Sequence, residues 1–136
     1  MRVEHLHVAV AVFTLALAAC GSSRQALVNV TVSPSSATAV HGLANDTVQF
    51  TASGGYSTYD SGAFGPNANA VCKVAVPDSS RPLTAVNWTT SDAVNTSINS
   101  AGMATCIGET NTPATISAVG SGVCGGVKGT STLACN

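Results

Sequence analysis

Five cysteines, at 20, 72, 106, 124 and 135, are the residues with the most chemistry open to them in this 136-residue chain. A thiol can ligate zinc, attack a substrate, carry an acyl group or close a disulfide, and the spacing bears on each. No C-x-x-C pair occurs and the gaps are irregular, which argues against a zinc site. Beyond Cys20 there is one histidine, His41, placed before Gly42 as a turn residue rather than a general base. The five acids beyond Cys20 are Asp46, Asp60, Asp78, Asp92 and Glu109, scattered through apparent loops. Asp60 with neighbouring carbonyls is the one place for calcium, but nothing there has the ligand spacing of an EF-hand loop. G-x-S-x-G, phosphate-loop and H-E-x-x-H patterns are absent. The expectation is a protein without catalysis, metal or cofactor.

The first cysteine closes an apolar run, Leu6 to Ala19, interrupted only by His7 and Thr14. At about 14 residues it is too short for a bilayer that needs ~20, and it has the length of a signal-peptide core. Its end, Leu17-Ala18-Ala19-Cys20, resembles the lipobox of bacterial lipoproteins. That resemblance implies cleavage before Cys20 and acylation of its thiol and new amine. It divides the chain into a signal peptide at 1–19, a lipidated cysteine with a short tether at 20–25, and a domain at 26–136. Gly21 stands where lipoproteins retained in the inner membrane carry aspartate, which favours the outer membrane. The membrane is thus the first expected partner, reached through acyl chains. With Cys20 acylated, an even number of cysteines remains in an exported chain, which argues for disulfides. Four cysteines allow three pairings.

Charged residues make up 8 % of the chain and hydrophobic residues 45 %, with Val, Ile and Thr frequent, the composition of an ordered all-β protein. A net charge of −1 provides no electrostatic drive toward nucleic acid. Alternation marks the strands. Val28, Val30 and Val32 share one parity before Pro34, and Thr38–His41 forms a second short extended piece. Val48, Phe50 and Ala52 follow, then Val86 with Trp88. Two short strands are hinged at Gly102, and ATISAV (114–119) and GTSTLAC (129–135) end the series. Phe50 and Trp88 are the large core side chains expected.

The order W-T-T-S-D…I-N-S-A-G…A-T…A-T-I-S-A…S-T-L resembles the bacterial immunoglobulin-like domain, group 2, of intimin and invasin stalks. It implies an immunoglobulin-like β-sandwich over 26–136. Asn95 departs from it, standing where an apolar residue is expected; either Val94 takes the role through a bulge or the strand pairs poorly. A larger departure is the insertion from Gly54 to Pro82, between the second and third core strands. Its first half is a Gly/Ser/Asn-rich loop holding Tyr56, Tyr59 and Phe64, and its second half, VCKVAV, alternates as a strand of its own. Strands alternating in direction put the insertion and Cys124 at one pole, and Cys106 and Cys135 at the other. The resemblance therefore implies Cys72–Cys124 and Cys106–Cys135. It also implies adhesion or surface assembly in the cell envelope, against an unknown envelope protein or glycan. The alternative is carbohydrate or ligand binding by Tyr56, Tyr59 and Phe64.

Overall fold

The computed structural model describes residues 23–60, 68–73 and 76–136. The signal peptide, Cys20 and Phe64 lie outside the described residues. The strands are β1 (Ser23–Ser33), β2 (Ser36–Ala39), β3 (Thr47–Gln49), β4 (Thr51–Asp60), β5 (Ser79–Pro82), β6 (Asn87–Thr90), β7 (Thr96–Ile98), β8 (Met103–Cys106), β9 (Ala114–Gly122) and β10 (Gly125–Cys135). One helical turn, α1 (Ala68–Val71), precedes β5.

These strands form sheets ordered β1-β4-β5, β2-β10-β9-β6 and β3-β8-β7. Only Phe50 separates β3 from β4, so one extended run serves two sheets: β3 pairs with β8, and β4 pairs with β1. The result is an all-β sandwich. Leu27, Val30, Val32, Phe50 and Ala52 meet Ile116, Ala118 and Leu133 from the facing sheet, and Phe50, Ile116 and Leu133 are wholly buried. Alternate residues of β4 and β9 supply their inner faces, as the pleat requires, and burial of the core side chains is the main favourable term. Pro34 follows the last residue of β1, an edge strand that loses nothing by ending at a residue without an N–H. The chain then crosses to β2, which runs parallel to β10 from Ser36 rather than from Thr38.

Five expectations are corrected. β1 begins at Ser23, pairing with Asp60, so Ser23–Gln25 is strand and not tether. A bulge between Leu27 and Asn29 inverts the parity, turning Val28 away from Val30 and Val32 into a second cluster with Ala26, Tyr59 and Val71. The first part of the insertion is not a loop. Gly54 to Asp60 continues β4 in register with β1. Its glycines let other side chains close in: a Cβ at Gly54 would lie 2.7 Å from Leu27 and one at Gly55 2.9 Å from Pro77. The fourth correction concerns VCKVAV. Val71 ends α1, Cys72 and Lys73 form a turn, and the strand lies later, at Ser79–Pro82. A helical turn places Val71, 5 % exposed, onto Tyr59 and Ala26, covering the outer face of β4. The fifth concerns Asn95. Val94 is 81 % exposed, and the buried residue is Thr96, whose Oγ1 donates to the Asp92 carbonyl at 2.6 Å. β7 pairs regularly with β8 from Thr96 to Ile98.

Candidate functional site

Two poles result, each closed by a disulfide. Cys72 is joined to Cys124 (Cα–Cα 5.4 Å) and Cys106 to Cys135 (5.6 Å), the pairing that alternating strands imply. At the first pole, the end of β4, the start of β1, α1 and the β9–β10 hairpin come together. Cys124, Val28, Ala26, Val71 and Tyr59 form the small apolar cluster beneath.

Tyr56 and Tyr59 lie three residues apart on a strand and so take opposite faces. Tyr59 is 8 % exposed under α1. Tyr56 is half-buried at the rim of the main core, with the Arg81 guanidinium 3.7 Å above its ring centroid. Arg81 also donates from Nη1 to Gln25 Oε1 at 2.7 Å, tying β5 to β1 across β4. The two tyrosines do not form one exposed aromatic surface. Nothing in the sequence marks Arg81, because its partners Tyr56 and Gln25 lie far upstream of it in no periodic relation.

Phe50 is fully buried; Trp88 is half-buried, packed on the main core. It also lines an open cavity of about 280 Å³. This cavity sits against the β3–β4 junction, between Pro82–Leu83 after β5 and Ser100–Ala101 in the β7–β8 turn. Its volume is near the lower limit of small-molecule sites, and no charged residue lines it. Gly102 makes the turn possible. Its φ is +81°, and a Cβ would lie 2.4 Å from the Phe50 carbonyl oxygen and 3.1 Å from the Trp88 ring.

His41 is exposed, with Nδ1 3.2 Å from the Cys106 carbonyl oxygen. Asp78 accepts from the Thr58 N–H at 2.7 Å, and Asp92 from the backbone N–H groups of Val94 and Asn95 and from Asn95 Nδ2. These acids organise backbone turns. Among the described residues, no three His, Cys, Asp or Glu side chains are grouped to hold a metal. Comparison with family models and with curated proteins finds no match.

Proposed function

We propose that this protein is a non-catalytic module of the bacterial cell envelope, held by lipid on Cys20 and carrying an immunoglobulin-like sandwich used in adhesion or surface assembly. The observation that carries this reading is the pair of disulfides, which persist in oxidising compartments and accord with the export run before Cys20. Outer-membrane placement follows from Gly21 after the acylated cysteine. Recognition is assigned to envelope proteins. A glycan role for the 54–82 segment has Tyr56 as its partly open aromatic, with Arg81 over one ring face. Pull-down from native envelopes with the intact lipoprotein tests the first reading, with specific capture of an envelope protein as the expected result. Binding on a glycan array that Tyr56→Ala abolishes would favour the second instead.

A further inference from the structure

The fold sorts the charges of this chain by pole. Of its cations beyond Cys20, Arg24 pairs with Tyr59 near the start of β1, Lys73 adjoins the Cys72–Cys124 bridge, and Lys128 stands three residues after the hairpin glycine Gly125. Arg81 reaches toward the same end through Tyr56 and Gln25. Arg24, Lys73 and Lys128 are all exposed. The opposite pole, around Cys106–Cys135, holds Asp46, Asp92 and Glu109 and, among the described residues, no lysine or arginine. Asp46 O accepts from Cys106 N, Ser91 beside Asp92 bonds Thr115 at the start of β9, and Thr110 beside Glu109 bonds Cys135. The acids of the basic end are Asp60, at the end of β4, and Asp78, whose carboxylate is engaged by Thr58 N–H. The net charge of −1 conceals a strongly polarised molecule.

Chain length sets which pole meets the membrane. β1 begins at Ser23, leaving Gly21 and Ser22 between it and Cys20. Three Cα steps reach at most ~11 Å, so acyl chains on Cys20 would hold the start of β1 at headgroup depth. Val123, 56 % exposed at the tip of the β9–β10 hairpin, projects from this same pole. We propose that the Cys72–Cys124 pole is a membrane-docking face. Arg24, Lys73 and Lys128 lie on anionic phospholipid headgroups, Val123 enters the interface, and the acidic pole points away. This orientation rests on acylation at Cys20. Attraction to anionic lipid falls off within a Debye length, so only a pole held this close benefits from it.

The chain from Cys20 onward contains every described element of the fold, and the two disulfides take the other four of its five cysteines, which leaves Cys20 for coupling. Coupling that thiol to a maleimide phospholipid supplies the tether independently of native acylation. The tether thus separates failure of docking from failure of lipidation, which the mass of the native protein reports. Lys73 modification by a water-soluble amine-reactive ester is measured on phosphatidylcholine vesicles with and without about 30 % phosphatidylglycerol. Carbodiimide labelling of Asp92 and Glu109 is the reference. The expected result is about five-fold slower labelling of Lys73 on the anionic vesicles alone, with the acidic pole unchanged. Arg24→Glu with Val123→Asp restores the rate seen on neutral vesicles. Equal Lys73 rates on both vesicles would overturn the proposal. So would protection of Asp92 and Glu109 together with Lys73, which would place a second copy head-to-tail on the basic pole.

Discussion

Asp92 shows how one side chain replaces a missing apolar contact. The sequence puts Asn95 where a core residue is expected, and the turn absorbs it: Asn95 Nδ2 donates to Asp92 Oδ2 at 2.9 Å, leaving Thr96 to fill the core. Thr96 was unreadable as a core residue because its hydroxyl needs a partner, and only the folded turn supplies the Asp92 carbonyl. The Asn95 side chain, then the Asn95 backbone, hold the Asp92 carboxyl below its ordinary value of 3.8, against a smaller opposing effect of desolvation. A depressed carboxylate contributes stability above its unfolded value and loses it as pH falls through the folded value. Asp92→Ala should therefore be less stable than the native chain at neutral pH. The difference should narrow below pH 3.8, as read by urea unfolding across pH. A difference that widens in acid would contradict this. Gly102 was legible as a hinge, though not its proximity to Phe50. Gly102→Ala meets both positive φ and a carbonyl, and should cost about 2 kcal/mol or more in the same assay.

At the scale of elements, alternation located most strands and failed where a backbone irregularity or a tertiary contact intervened. The bulge after Leu27 is one extra residue in a strand, and nothing in ALVNV announces it. The segment GGYSTY reads as a loop by glycine content, yet it is strand because β1, extended by Ser23–Gln25, pairs with it and Leu27 and Pro77 pack where side chains are absent. VCKVAV has strand alternation, but the bridge to Cys124 and burial of Val71 prevail over it. Replacing 55–70 by a linker would thus remove half of β4 and unfold the domain. Tyr59→Ala should cost about 3 kcal/mol by emptying the small cluster. Tyr56→Ala, at the rim, should cost about 1 kcal/mol with loss of the Arg81 contact. Equal costs would mean that the two rings share one environment. The Cys72–Cys124 bridge closes a loop with sequence separation 52 and contributes about 4 kcal/mol in the chain-entropy model. Cys72→Ser with Cys124→Ser should lower the unfolding midpoint accordingly and speed amide exchange in α1 before that in β9.

For the whole molecule, the all-β class and the core position of Phe50 were legible, because burial imposes a period of two. The charge polarity was not. Arg24, Lys73 and Lys128 are far apart in sequence, and only the shared pole of β1, α1 and the β9–β10 hairpin joins them. The Trp88 cavity was hidden for the same reason, since three separate segments close it. The central claim is that a disulfide-braced sandwich is carried on a lipid at Cys20. It is tested most directly by intact mass and non-reducing peptide mapping of the protein isolated from its native membranes. The account predicts loss of residues 1–19, acyl mass on Cys20, and bridged peptides joining Cys72 to Cys124 and Cys106 to Cys135. A mature chain with unmodified Cys20, or with Cys20 in a disulfide, would contradict it.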